Sequence, residues 1–181
     1  MAATFTELPV EELTEFINAW GTLPREAAGR SAPSQHVGIA AHLGLPADVD
    51  AKLTAGALTR TADRLHAVFA AESSEKGAQQ LTDMLADTGA RPVLEVAAHG
   101  SLNAAWRVND LDQLLLASSA LALRAYVAAH GFNRIGICTG DRCVDVYIDR
   151  SPGGRRRFCS VTCQNRTRVA AFRRRRAAPD G

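Results

Sequence analysis

Residues 134–176 read RIGICTGDRCVDVYIDRSPGGRRRFCSVTCQNRTRVAAFRRRR. This stretch holds all four cysteines of the 181-residue chain, in two close pairs, Cys138 with Cys143 and Cys159 with Cys163. The spacing is C-x4-C, then fifteen residues, then C-x3-C. Two short pairs from two chain segments are the usual ligand arrangement of a structural zinc site. The spacing therefore predicts one structural Zn²⁺ bound by the four thiolates.

Two other interpretations of the cysteines are a disulfide framework and unlinked core thiols. A disulfide framework needs an oxidising compartment. The first residues lack the basic and apolar regions of a signal peptide, so we expect a cytoplasmic protein. Unlinked core cysteines would not be expected to cluster in one quarter of the chain. Ser160 is a suitable helix N-cap, which places Cys163 in a first helical turn, where the helix dipole favours a thiolate.

The segment between the cysteine pairs has the pattern of a β-hairpin. Val144 to Ile148 alternates apolar with other residues, as a half-buried strand does. Ser151 to Gly154 (SPGG) is a turn signal, and Arg155 to Phe158 is the predicted second strand. The predicted order is a cysteine knuckle (the turn from Cys138 to Cys143), a hairpin and a helix, which is the order of a treble clef. Such a small module has too little core to fold without its metal.

The segment resembles the CGNR zinc finger family of bacterial proteins. The resemblance rests on the cysteine spacing, the strand-like VDVYIDRS, the run Arg-Arg-Phe-Cys-Ser at the third cysteine, and the basic tail. The motif that gives the family its name reads Cys163-Gln164-Asn165-Arg166 here, with Gln in place of Gly. Gln favours a helix more than Gly does, so zinc binding should be unaffected.

The charge is divided unevenly along the chain. Residues 1–133 carry a formal charge of −6 and residues 134–181 a charge of +8, within a total of +2. Such a split predicts a nucleic-acid-facing tail on an acidic body. A nucleic acid is therefore an expected partner, and the resemblance to the CGNR family implies that it is DNA. The predicted nucleic-acid contacts are the basic and amide residues around and beyond the cysteines: Arg155, Arg156, Arg157, Gln164, Asn165, Arg166, Arg168, Arg173, Arg174, Arg175 and Arg176.

Apolar side chains of the basic tail should hold it in place. Val169 and Phe172 lie three residues apart and are predicted to pack the last helix on the hairpin. Asn165 and Arg166 lie beside a cysteine, so they could brace the zinc loops instead of contacting DNA. Two alternatives to DNA binding stay open. The arginines could dock an acidic protein, or Tyr147, Phe158 and Phe172 could stack RNA bases.

The residues before the zinc segment predict a mostly helical domain. Apolar periodicity and Gly or Pro stops predict helices over 8–21, 34–43, 50–71 and 77–86, with a loop at 25–33. The five histidines are scattered without a pair at i, i+4, so they are read as ordinary helix or turn residues. No run of eighteen apolar residues is present, so we expect no membrane span. No catalytic constellation can be argued, and we expect no enzyme.

A hairpin and a long helix complete this domain. Residues 92–97 and 104–108 are strand-like, Asp110 is a suitable N-cap, and the next helix should run to about His130, with Gly131 after it. The predicted fold is α+β, a helical domain with a β-hairpin over 1–132 and a treble-clef-like finger over 133–176. A disordered tail is expected over 177–181. The short link predicts that the finger is docked on the domain.

The N-terminal part resembles the ABATE-type domain that usually precedes a CGNR finger. The resemblance rests on LTEFINAWG (13–21), on LTAGALTRTADRLHAVF (53–69) and on the hairpin-then-helix order. Proteins of this combined type are regarded as stress-induced transcription regulators. The resemblance implies that the finger binds DNA while the first domain senses a small-molecule effector or mediates assembly, with a homodimer as one form. A location at the nucleoid follows from that role.

Overall fold

The computed structural model describes residues 2–5, 8–34, 38–43 and 45–177 of the chain. Helices and two small sheets alternate along these residues, as the predicted α+β class requires. The helices and strands are β1 (Ala3–Phe5), α1 (Val10–Trp20), α2 (Thr22–Ala27), α3 (Ile39–His42), α4 (Ala55–Phe69), α5 (Ser74–Asp87), β2 (Arg91–Val96), β3 (Leu102–Val108), α6 (Leu114–His130), β4 (Ile135–Ile137), β5 (Val146–Ile148) and α7 (Val161–Ala177). Three 3₁₀ turns lie between them, at Ala47–Lys52, Leu111–Gln113 and Phe132–Arg134.

Helix α6 is the centre of the core. Ten successive residues from Leu114 to Leu123 are buried on every side of the helix, because α1, α4 and α5 all pack against it. A helix that is apolar all round is expected in such an enclosed position. The stretch Leu111–His130 is also long and apolar enough to cross a membrane, but most of its apolar part is buried inside the protein. That burial is typical of a core helix.

Side-chain caps divide the helical region differently from the prediction. The single helix predicted over 50–71 is a 3₁₀ turn followed by α4, because the Thr54 hydroxyl accepts the Ala57 N–H and starts a new helix. Helix α5 begins three residues earlier than predicted, since Ser73 caps it. The loop predicted over 25–33 begins later, because Pro24 sits in the first turn of α2, where proline is tolerated. Part of the helix predicted over 34–43 lies outside the described residues.

The first sheet confirms the predicted hairpin and adds a strand. Strand β3 lies in the middle, with β2 and β1 antiparallel on its two sides. The short strand β1, which sequence reasoning missed, pairs Phe5 with Trp106. Near β1 the sheet covers the core, with Phe5 and Val108 buried.

The second sheet corrects the hairpin predicted between the cysteine pairs. Strand β5 pairs antiparallel with β4, with Ile135 opposite Ile148, and not with Arg155 to Phe158. Residues 155–158 form no strand, because Asp149 accepts the backbone N–H of Arg156 and closes a loop instead. The order of cysteine knuckle, strand and helix remains, without the predicted central hairpin.

The cysteine-bearing segment is docked on the helical body, as the short link predicts. The Asn18 side chain donates to Val146 O at 3.0 Å and accepts from Val146 N at 2.7 Å. Nε2 of the His66 ring lies 2.8 Å from the carbonyl oxygen of Val144. His66 is therefore not the ordinary helix residue that its sequence position suggests. The boundary at residue 132 stays a prediction, because Ile135, Val146 and Ile148 belong to the same buried cluster as the body.

The described part of the chain ends within the predicted tail. Ala177, expected to be disordered, is the last residue of α7. Residues 178–181 lie outside the described residues.

The contact between Phe132 and Gly77 gives a test of docking. A Cβ at Gly77 would lie 2.1 Å from Phe132 Cζ. We therefore expect Gly77→Ala to lower the free energy of unfolding by about 1–3 kcal/mol, through overpacking. Gly56→Ala is the matched control in α4, because its Cβ would meet only the flexible end of Arg60, at 3.2 Å. Thermal unfolding of the two variants and of the wild-type protein measures the loss. A Gly77→Ala midpoint equal to that of the wild-type protein would contradict the packing of Phe132 on α5.

Candidate metal centre

The four cysteine side chains converge on one point. Their Sγ atoms all lie within 4.8 Å of one another. The Sγ atoms of Cys138 and Cys163 are 3.4 Å apart, and those of Cys143 and Cys159 are 3.7 Å apart. Both distances exceed the roughly 2.05 Å of a disulfide bond. They are near the S···S separation of about 3.8 Å that four Zn–S bonds of about 2.3 Å give in a tetrahedron. The arrangement fits one zinc ion.

Three structural elements bring the thiols together. Strand β4 ends just before Cys138, a tight turn closed by the Cys143 N–H and Gly140 O (3.1 Å) presents Cys143, and α7 begins just after Cys159. The predicted cap is confirmed, because Ser160 Oγ accepts the Cys163 N–H at 3.1 Å. Cys163 thus lies in the first turn of α7, where the positive end of the helix dipole stabilises a thiolate.

Hydrogen-bond donors surround the buried sulfurs. The Gly140 N–H points to Cys138 Sγ at 3.4 Å, and Arg166 Nη2 lies 3.5 Å from Cys163 Sγ. Arg166 also reaches the Asp141 carbonyl at 3.5 Å. These donors compensate the negative charge of the ligands, as the outer partners of metal sites do. Arg166 therefore braces the zinc loop, the role that its position beside Cys163 suggests.

The pKa values of the thiols determine how many protons zinc must displace when it binds. Burial raises the pKa of Cys143 to about 12, and burial together with the neighbouring thiols raises the pKa of Cys159 further. Burial also opposes ionisation of Cys138, but N–H donors at Cys159 and Gly140 outweigh it, so its pKa lies below the ordinary value. Zinc binds thiolates, so its binding must displace the protons that Cys143 and Cys159 hold at neutral pH.

Gly140 is a site residue that sequence reasoning missed. A Cβ there would lie 2.3 Å from Cys163 Sγ and 3.3 Å from Cys138 Sγ. Any side chain would therefore occupy the space of the ligands. The sequence shows a glycine between Cys138 and Cys143. It does not show that Cys163 of the second pair lies close enough to exclude a side chain at this position.

A loop on the far side of β5 is built around Asp149. The carboxylate is 1% exposed and accepts the N–H groups of Ser151 and Arg156, each at 2.8 Å. Burial favours the neutral acid, but these hydrogen bonds and the charge of Arg134 outweigh it, so the pKa of Asp149 lies below its ordinary value. Arg134 also donates to Ser151 O at 2.6 Å. The turn signal SPGG is thus held at both ends.

The side chain of Arg156 binds backbone carbonyl groups of this loop and of β5. Its guanidinium donates to Phe158 O at 2.8 Å, to Ile148 O at 3.0 Å and to Cys159 O. The same group lies over the Tyr147 ring, 5.5 Å from its centroid. Arg156 thus links β5 to the third cysteine. Arg156 is nevertheless exposed, as Arg155 and Arg157 are, and contact of these three residues with nucleic acid stays a prediction.

Helix α7 carries the remaining predicted contacts. The prediction that Val169 and Phe172 pack on the hairpin is wrong: they are 48% and 52% exposed. The hairpin that they were expected to cover does not form, and Arg176 lies over the Phe172 ring at 5.7 Å. Gln164 is half-buried. The other predicted residues of the helix are exposed: Asn165, Arg166, Arg168, Arg173, Arg174, Arg175 and Arg176.

Fold and site together define a zinc finger with four cysteines positioned to hold one metal ion. Comparison with protein families specifies the kind of finger. Residues 134–176 match the model of the CGNR zinc finger, and this range contains every cysteine and ends at the last arginine of α7. A search of curated proteins finds no match to the chain. The match begins at Arg134, so the ABATE resemblance of the preceding residues stays a prediction.

The space at Gly140 yields a test of the metal centre. We expect Gly140→Ala to lose zinc, because its methyl group would displace Cys163 Sγ. Gly153→Ala is the matched control in the same segment, since its Cβ would meet nothing closer than 3.7 Å. Metal content per chain, measured by mass spectrometry after gel filtration, reports the result. Full zinc occupancy in the Gly140 variant would contradict the geometry.

Proton release gives a second test. At pH 7.5 we expect zinc binding to release at least two protons, from Cys143 and Cys159, because both pKa values lie far above that pH. The apparent zinc affinity should then fall by roughly a hundredfold or more per pH unit on acidification, about tenfold for each proton released. Calorimetry in buffers of different ionisation enthalpy counts the protons. A zinc affinity that does not change with pH would exclude thiols as the ligands.

Proposed function

We propose that the protein is a zinc-dependent, DNA-binding transcription regulator that contacts DNA through its finger and α7. The observation that carries the proposal is an arginine-rich helix with its first turn fixed by the zinc site. Cys163 fixes that turn, and the exposed arginines follow along the helix: Arg168, Arg173, Arg174, Arg175 and Arg176.

The dimensions of α7 support this proposal. Its seventeen residues give a length of about 25 Å. The major groove of DNA, about 12 Å wide, admits a helix. Val169 and Phe172 are half exposed, so this part of α7 is open to a partner. Asn165 is the candidate for base contact, since an Asn amide can bind an adenine edge.

The remaining parts of the proposal concern the body. We propose that it senses a small-molecule effector or mediates assembly, with a homodimer as one form, and that the protein works in the cytoplasm at the nucleoid. In this proposal the zinc is structural and the protein acts by binding, because four cysteine ligands leave the metal no open coordination position for a reacting water.

A second candidate is docking of an acidic protein partner on α7. The exposed Val169 and Phe172, next to the arginines, favour it, because protein interfaces combine apolar anchors with charge. RNA stacking has less support. The Tyr147 ring is covered by Arg156, and its hydroxyl donates to Arg156 O at 2.8 Å.

Binding of random duplex DNA tests the proposal. We expect zinc-loaded protein to bind at about 50 mM salt and much more weakly at about 200 mM, because each phosphate contact contributes a log–log slope of roughly −0.9. Chelator-treated protein should bind weakly, because α7 then loses its anchor. Replacing Arg173–Arg176 by Gln should reduce affinity equally for all sequences and reduce the magnitude of the slope by up to about 3.6.

The outcomes separate the candidates. A slope that the four substitutions leave unchanged would place the DNA surface elsewhere. No DNA binding at low salt would contradict the proposal, and binding of an acidic peptide under those conditions would favour the protein-docking alternative.

A further inference from the structure

A groove of about 900 Å³ lies between α7 and the body. From α7 it is lined by Asn165, Arg166, Val169 and Arg173. These residues recur at intervals of one, three and four, so they form one face of the helix. The groove continues the exposed basic surface of the finger inward to the body.

Two further arginines line the groove away from α7. Arg142 comes from the turn between Cys138 and Cys143, and Arg30 comes from the segment after α2. Arg142 belongs to the finger, as Arg166 and Arg173 do, whereas Arg30 lines the groove only because the finger is docked on the body. Arg30 and Arg142 are more than a hundred residues apart in the chain, so sequence patterns do not connect them.

The acidic residues of the groove are partly compensated. Asp145 lies 3.9 Å from Arg30. Asp141 also lines the groove, and its own N–H is bonded to Thr167. Four arginines thus face two aspartates around the groove. The side chain of Arg30 is 53% exposed and Arg142 is exposed, so both can reach a partner.

The backbone of Arg142 is unusual. Its φ of 53° is positive, and it is the one non-glycine residue with that conformation in the part of the chain that the structure describes. Glycine or asparagine adopts this conformation more readily. The conformation belongs to the tight turn that the Cys143 N–H and Gly140 O close, and a variant at this position should keep a residue that tolerates it.

We propose that this groove is part of the DNA-binding surface and that Arg30 and Arg142 contact backbone phosphates beside α7. This inference rests on the proposed function and extends it to the body. Asn18 holds the arrangement together, because its side chain pairs with Val146 of the finger while its carbonyl accepts from Arg30 at 3.4 Å. The body thus determines how far Arg30 lies from α7, and with it the width of the proposed DNA-binding groove.

The experiment compares salt-dependent binding of random duplex DNA by zinc-loaded full-length variants. Arg142→Asn removes the charge and keeps a residue that tolerates a positive φ. Arg30→Gln removes the second charge, and Arg124→Gln, at an exposed position on α6, is the matched control. Each contact that is lost should reduce the slope by roughly 0.9, so the double variant should lose about 1.8. Arg124→Gln should leave the slope unchanged.

Arg142→Asn serves as the decisive single variant, because Arg30→Gln also removes the pairing with Asp145. Zinc content and the unfolding midpoint are measured in parallel, and the inference predicts that Arg142→Asn leaves both unchanged. If that variant keeps the wild-type slope while the Arg173–Arg176 variant loses it, the inference is overturned and the proposed function stands. If the wild-type protein does not bind DNA, both are overturned.

Discussion

Four sulfur atoms within 4.8 Å of one another are the constraint on which the C-terminal part of the structure depends. As thiolates they would repel strongly, and as thiols they would lose water without gaining strong partners. A divalent cation resolves both problems, because it neutralises the charge and supplies the bonds. The distances between the sulfurs suit zinc, and Gly140 leaves the space that the ligands need.

The metal centre and the helical body depend on each other. The finger alone has two three-residue strands and one helix, which is too little to bury a core. It gains one by sharing Ile135, Val146 and Ile148 with the body. The side chains of His66 and Asn18 bind the backbone of Val144 and Val146, after Cys143. Zinc thus fixes α7 to the knuckle, and the body fixes the knuckle in turn.

This mutual support gives the body a physical route to the proposed DNA surface. A shift of α1 or α4 would move Asn18 or His66, and with them the backbone of Val146 or Val144. The groove beside α7 would then change its width. A body that binds an effector could regulate DNA contacts in this way, without any change at the metal itself.

Local chemistry decided what the sequence could predict. Cysteine spacing, the Ser160 cap and the turn signals act over a few residues, so the zinc site, α7 and the first hairpin were predictable. The pairing of β5 was not, because its partner β4 lies on the other side of the cysteine turn. Alternation indicates a strand but not its neighbour.

Long-range contacts account for the other differences. His66 resembles any polar residue of an amphipathic helix until Val144 O is placed beside it. Arg156 resembles its two arginine neighbours in the sequence, and only the closed loop of Asp149 brings its guanidinium to the Ile148 carbonyl. The spacing of Val169 and Phe172 suggested a packed face, but the surface that they were expected to cover does not form.

The most direct test of the central claim is X-ray absorption at the zinc edge of the purified full-length protein, with the metal content measured on the same sample. We expect one zinc ion per chain with four sulfur ligands at about 2.3 Å. Nitrogen or oxygen atoms among the ligands of the zinc ion, or a protein that folds fully without zinc, would contradict a structural site of four cysteines.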